Sequence, residues 1–206
     1  MSPIHQLLSA WKRKIFPLFV TAVVLQGMAS AETPVTGEFR LTDQDGAAVT
    51  EHTYDGKLRI VFFGFTRCPY VCPTTLHELR RAMLLLGEDS AGIQPIFISI
   101  DPANDTPAVL STYVASFHTS LVGLTGTTEQ VRAAADAFRA TYGTQPGGDA
   151  ESAAPYHSNY LYLMDRQGGF LDVIGASARS ETIASRIREH LRSPGQSPRA
   201  PSPDSN

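Results

Sequence analysis

Residues 58–73 read LRIVFFGFTRCPYVCP, and the meaning of this stretch decides the fold. Leu58 to Phe65 is a continuous apolar run with β-branched and aromatic residues, the pattern of a strand buried on both faces. A short loop with two cysteines follows, and then a helix. Pro73 suits the first helical position, and Leu76, Leu79, Met83 and Leu86 fall on one face at three- and four-residue spacing.

Downstream the same alternation repeats. Ile96 to Ile100 is a second buried strand, ending at Asp101-Pro102. Thr106 with Pro107 opens the next helix, whose apolar stripe is Leu110, Tyr113, Val114 and Phe117. Leu121 to Leu124 is a third strand. Thr127 and Gln130 form a capping box for a third helix carrying Val131, Ala135, Phe138 and Tyr142 and closed by Gly143. A Gly/Ala/Pro-rich loop covers Thr144 to Pro155. NYLYLMD (159–165) and FLDVI (170–174) then flank Arg166-Gln167-Gly168-Gly169 as a hairpin. Ser180 is expected to cap a last helix with Ile183, Ile187 and Leu191. Upstream, alternating runs around Asp45-Gly46 predict an N-terminal hairpin. The order is hairpin, β-α-β-α-β-α, hairpin, α. It predicts an α/β fold, a thioredoxin-like mixed sheet flanked by helices on both faces. In such sheets, sites form beyond the carboxyl ends of the strands. The cysteine loop and Asp101 follow two such ends and are expected to be neighbours.

The two ends of the chain read differently. In residues 1–31, Lys12, Arg13 and Lys14 precede an apolar stretch from Ile15 to Leu25, and Ala29-Ser30-Ala31 offers a cleavage site. This is a signal peptide or, through residues 15–28, a membrane anchor. The apolar run is shorter than the roughly 20 residues a spanning helix needs. An exported, periplasmic protein is expected, soluble or anchored to the inner membrane. From Ser193 the sequence is SPGQSPRAPSPDSN, too polar to offset its ordering entropy, so 193–206 is expected to be a disordered tail. Residues 35–192 are the expected folded domain. The chain is 42% hydrophobic with a formal charge of −3, which suits a globular protein and gives no basic footprint for nucleic acid.

Both cysteines of the chain, Cys68 and Cys72, lie in the one loop. As a staple the pair is badly placed: loop entropy gives about 3 kcal/mol for a 15-residue loop and less for a shorter one. At a helix N-terminus the positive end of the dipole favours thiolate, the form that redox chemistry and soft-metal binding both need. Prolines 69 and 73 stiffen the segment. From these residues alone the pair reads as a metal site, a redox dithiol or a structural disulfide. His157, between a flexible loop and an apolar strand, is placed to swing over the cysteines. Two thiolates and an imidazole suit copper, whereas a structural zinc site wants a fourth protein ligand. His52 falls in the hairpin region and His77 off the apolar face, where solvent is expected. His118 and His190 end helices, where positive charge is favoured. The four methionines form no cluster, against a methionine-rich copper store.

FGFTRCPYVCPTTL (63–76) resembles the signature of the Sco/SenC family, copper proteins of cytochrome c oxidase assembly. FISIDPANDTP (97–107), LVGLTGT (121–127) and YHSNYLYLMDRQGGFLDVIG (156–175) resemble its later blocks, in order. The resemblance runs from about Glu38 to Arg192. It implies a thioredoxin fold with a mononuclear copper site at Cys68, Cys72 and His157. It also implies a metallochaperone that loads, or prepares by thiol reduction, the binuclear copper site of oxidase subunit II, itself supplied by a copper donor protein. The chain departs from the family at Tyr70 and Tyr156, where acidic residues are common. Asp101 is present as in the family pattern, where the resemblance implies that it orients a ligand or serves the structure. The alternative is a thiol–disulfide oxidoreductase acting on partner cysteines, although C-x3-C is not the C-x-x-C of a standard thioredoxin. Thr66-Arg67-Cys68 lacks the P-x3-T-x2-C pattern of a peroxiredoxin.

Overall fold

The structure is a computed structural model and describes residues 34–144 and 155–192. The expected signal or anchor at 1–31, the expected tail at 193–206 and residues 145–154 of the expected loop lie outside the described residues. The apolar run forms β3 (Leu58–Gly64), in which every residue is buried. Its alternation divides the core. Leu58, Ile60 and Phe62 face one cluster, while Val61, Phe63 and Phe65 face another, as the two-residue period of a strand requires.

Around β3 lies a seven-stranded sheet in the order β2-β1-β5-β4-β3-β8-β9. β4 (Ile93–Ser99) and β5 (Val122–Thr125) run parallel to β3 and to each other in turn. β1 (Arg40–Asp43) and β2 (Ala48–Thr50) form the N-terminal hairpin, with Gly46 at φ +83° in its turn. β8 (Tyr160–Met164) and β9 (Phe170–Gly175) form the second hairpin, in which β8 pairs antiparallel with β3. One face carries α1 (Val71–Leu86), α2 (Pro107–Ala115) and α4 (Ser180–Arg192); α3 (Thr128–Ala137) covers the other. This is the expected thioredoxin-like mixed sheet.

Several boundaries differ from expectation for identifiable reasons. α1 starts at Val71, so Pro73 is its third residue, still within the first turn where no intrahelical N–H is needed. β4 starts at Ile93 and contains Pro95. Pairing with β5 begins only at Ile96, so the proline falls just before that ladder. α3 ends at Ala137 because Arg139 takes φ +53°; Tyr142 and Gly143 therefore belong to a strand, not to the helix. Ser180 caps nothing. It is the first helical residue, its hydroxyl is buried without a hydrogen-bond partner, and its N–H donates to Glu78 Oε2 on α1 at 2.7 Å. The carboxylate of a neighbouring helix thus does the capping, and that bond holds Glu78 below the ordinary carboxylate range.

A pair of strands was not anticipated. β6 (Tyr142–Thr144) and β7 (Pro155–His157) make a separate two-stranded antiparallel sheet in which Tyr142 lies opposite His157.

Candidate metal centre

The site is assembled where β3 and β4 end side by side. Gly64 and Ser99 are their last paired residues, and Ile100 N–H donates to the Gly64 carbonyl at 2.8 Å. Each strand then releases a loop, and the two loops are tied together. Arg67 Nη2 donates to Asp101 Oδ2 at 2.8 Å, so the expected neighbourhood of Asp101 and the cysteine loop is present. Asp101 also accepts from Asn104 Nδ2; its part is to pin the loop.

A second acid holds the loop more firmly and was missed from sequence. Asp105 is 0% exposed and accepts from Thr66 N–H at 3.0 Å, from the Thr66 hydroxyl, and from Ser99 Oγ at 2.6 Å. The available signal was its place directly before the Thr106-Pro107 helix start. Thr106 caps α2 as expected, accepting from Val109 N–H.

Cys68 leaves this anchored segment through a turn in which its N–H donates to the Phe65 carbonyl at 3.2 Å. Its sulfur accepts from the Cys72 N–H at 3.4 Å. Tyr70, at the N-cap, makes no side-chain cap, so the thiol does a cap's work on one first-turn amide. Cys72, the second helical residue, is 0% exposed and Cys68 half-buried; no disulfide joins them. Close packing of Cys72 depends on Gly64, because a Cβ there would lie 2.7 Å from Cys72 Sγ and 2.7 Å from the Phe97 ring.

His157 arrives from the β6–β7 sheet, where Ser158 N–H donates to the Thr141 carbonyl at 2.7 Å. Its Nδ1–H donates to the Ser158 carbonyl at 3.1 Å, which assigns the proton to Nδ1 and leaves Nε2 with a lone pair. That lone pair faces Cys72 Sγ at 3.5 Å, where the thiol donates to it. Phe62 and Phe65 meet the imidazole edge to face at 5.6 and 6.2 Å. Burial lowers the His157 pKa, opposed by the Ser158 carbonyl. The ring is therefore held neutral, the state a metal ligand needs.

Burial also pushes the Cys72 thiol up; a backbone hydrogen bond with Phe65 opposes the rise, and Cys68 and Asp105 add to it. The expected preference for thiolate fails at this cysteine because desolvation outweighs the dipole of the first turn. A metal would have to displace that proton on binding.

Among the described residues one group of three Cys, His or carboxylate side chains could hold a metal ion: Cys68, Cys72 and His157, with ligand atoms all within 4.8 Å of one another. None of His52, His77, His118 and His190 joins it. His52 faces Asp55 and Glu51. His77 is exposed, as expected, but packs on Phe117 at 5.1 Å. His190 lies 3.4 Å from Asp172. The expectation of positive charge on His118 does not hold. Burial, with Arg80 adding, lowers its pKa, and its Nδ1 accepts from the Ser120 N–H.

A family model described as SCO1/SenC matches residues 27–192 of the chain. The chain belongs to the SCO1/SenC family. Protein SCO1, mitochondrial, of Saccharomyces cerevisiae is 38% identical over 161 residues, covering 76% of this chain and 54% of that protein. Protein SenC of Rhodobacter capsulatus is 37% identical over 182 residues, covering 87% of this chain and 82% of SenC. The chain thus spans about half the length of its yeast relative and most of the bacterial one. Among solved structures, copper-bound Arabidopsis thaliana ScoI superposes with a TM-score of 0.71 at 34% identity, covering 77% of this chain and 98% of ScoI. Tyr70, between the two cysteines, is 77% exposed.

Proposed function

We propose that this chain is a copper metallochaperone, holding copper through Cys68 Sγ, Cys72 Sγ and His157 Nε2 and passing it to a partner protein. The observation that carries this reading is the convergence of those three ligand atoms within 4.8 Å. The donor set supports it: two sulfurs suit Cu(I) and an imidazole suits Cu(II). With three protein ligands, the metal keeps an open side where a recipient's ligand can enter before one of its own leaves.

The recipient proposed is the binuclear copper site of cytochrome c oxidase subunit II, the copper coming from a separate donor protein. The compartment proposed is the periplasm, with the chain soluble or held at the inner membrane by residues 15–28. No helix among the described residues is long and apolar enough to cross a membrane. The folded unit proposed is residues 35–192.

The second reading, a thiol–disulfide oxidoreductase, is favoured by the closeness of the two thiols. Because burial pushes the Cys72 thiol up, exchange would have to begin at the half-buried Cys68.

An anaerobic copper titration of the reduced protein, wild type beside His157→Ala, tests the proposal. One equivalent is expected to bind tightly to the wild type. Affinity should fall roughly 100-fold or more in the variant, since loss of outer-shell partners alone costs about 10- to 100-fold. Equal binding by both proteins would remove His157 from the ligand set. Absence of binding by the wild type would shift the function to dithiol exchange.

A further inference from the structure

The two acids that hold the cysteine loop differ in what answers their charge. Asp101, half-buried, faces the Arg67 guanidinium at 2.8 Å. Asp105 is fully buried and makes none of the ion pairs among the described residues. Its partners are neutral. Thr66 N–H and Ser99 Oγ donate to Oδ2 at 3.0 and 2.6 Å, and the Thr66 hydroxyl donates to Oδ1. Ser99 Oγ itself accepts from Asp101 N–H at 3.0 Å, which leaves its own proton for Asp105. Accepting from three donors and donating to none is the pattern of an ionised carboxylate. The start of α2, one residue on, offers only a partial positive charge.

Hydrogen bonds of this kind stabilise a carboxylate without cancelling its field, and a buried charge with no opposite charge beside it is unfavourable. Tying two loops together does not require one. The position of Asp105 shows where a counter-charge would enter. Its Oδ2 is bonded to Thr66 N–H, and the two residues from there to Cys68 span at most about 7 Å, so the carboxylate lies within roughly 10 Å of the Cys68 backbone. Its other partner, Ser99, lies beside Gly64 in the β3–β4 ladder, and Gly64 is packed against Cys72 Sγ. The charge is thus held between residues that adjoin both sulfurs.

Salt screens a buried charge far less than an exposed one, so its field acts across such a separation. We propose that Asp105 is a specificity-determining residue for the proposed copper site, its buried charge favouring Cu(II) over Cu(I). The proposal rests on the copper reading above. At the same place a carboxylate attracts a dication twice as strongly as a monocation. That difference belongs to the charge, whereas the hydrogen bonds that shape the loop serve both oxidation states.

The test is Asp105→Asn in the full chain beside Thr66→Val, which removes one tie and keeps the charge. Affinities for Cu(I) and Cu(II) are measured separately, each against a competing chelator, after thermal melting has shown that the copper-free variants fold. Asp105→Asn is expected to weaken Cu(II) roughly 10-fold more than Cu(I), equivalent to a rise of about 59 mV in the one-electron potential. Thr66→Val should keep the wild-type ratio of the two affinities, even where its melting temperature falls. If Asp105→Asn does not fold, Asp105→Ser carries the same comparison with a smaller neutral group. Equal losses for the two oxidation states in the neutral variant would overturn the proposal and leave Asp105 as a tie alone. An equal shift of the ratio in Thr66→Val would overturn it as well. Failure of the wild type to bind copper would remove the copper reading itself, and this proposal with it.

Discussion

The two arms of the site are built by different means. The cysteine arm grows out of the central strand β3: Cys72 is fully buried, Gly64 makes room for it, and Asp105 and Asp101 tie the loop to the end of β4. The histidine arm belongs to a two-stranded sheet of its own, joined by three residue pairs. The cysteines share their packing with the core, whereas His157 adds two ring contacts and one thiol contact to it. Stability and the proposed metal binding are therefore entangled in one arm and more separable in the other.

Gly64→Ala presses hardest on this contrast. The added methyl must displace Cys72 Sγ or the Phe97 ring, both at 2.7 Å, and overpacking of this kind costs about 1–3 kcal/mol. The free energy of unfolding without copper is expected to fall by that amount in Gly64→Ala and by less in His157→Ala. A larger loss in the histidine variant would make the β6–β7 sheet part of the core.

Within the cysteine arm, Cys68 is half-buried, while Cys72 is enclosed and burial pushes its thiol up. Alkylation of the reduced, copper-free protein should modify Cys68 roughly 10-fold faster or more, as peptide mapping at short times would reveal. Comparable rates at both positions would mean that the first turn of α1 opens readily.

The smallest effect lies away from both arms. A histidine whose folded pKa is depressed leaves stability fully present above its unfolded pKa, and that stability is lost as pH falls through about 6.5 and below. His118 is such a group, through burial. The denaturant midpoint is expected to be lower at pH 5.5 than at pH 7.5, and His118→Gln should flatten part of that difference without altering copper affinity. An unchanged pH dependence in the variant would assign the effect elsewhere.

What could be read from sequence followed from local rules. The run 58–65 could be nothing but a buried strand, and Asp45-Gly46 nothing but a turn. Thr127 with Gln130 announced a helix start, and both bonds of the box are present. From the residues alone the cysteine pair stayed open between metal, redox and structural roles, and the resemblance to the Sco/SenC family joined His157 to it. Features that depend on tertiary contact were illegible. Gly64 looks like an ordinary residue of an apolar run until Cys72 is packed against it. Asp105 is one acid among several until Thr66 and Ser99 converge on it. Ser180 has the look of a cap, but Glu78, about a hundred residues earlier, takes that place. The short strands β6 and β7 escaped because Tyr142 continues the apolar spacing of α3, and only the left-handed Arg139 ends the helix before it.

Placing the proposed third ligand on its own ribbon would make the ligand set modular. A designer wishing to retune metal preference could exchange the imidazole for a softer or harder donor at position 157 and leave the scaffold unrepacked. Substitution at position 68 would instead remove a helix cap together with a proposed ligand. Natural drift would face the same asymmetry: the histidine position is where this fold could change the proposed cargo at least cost to itself.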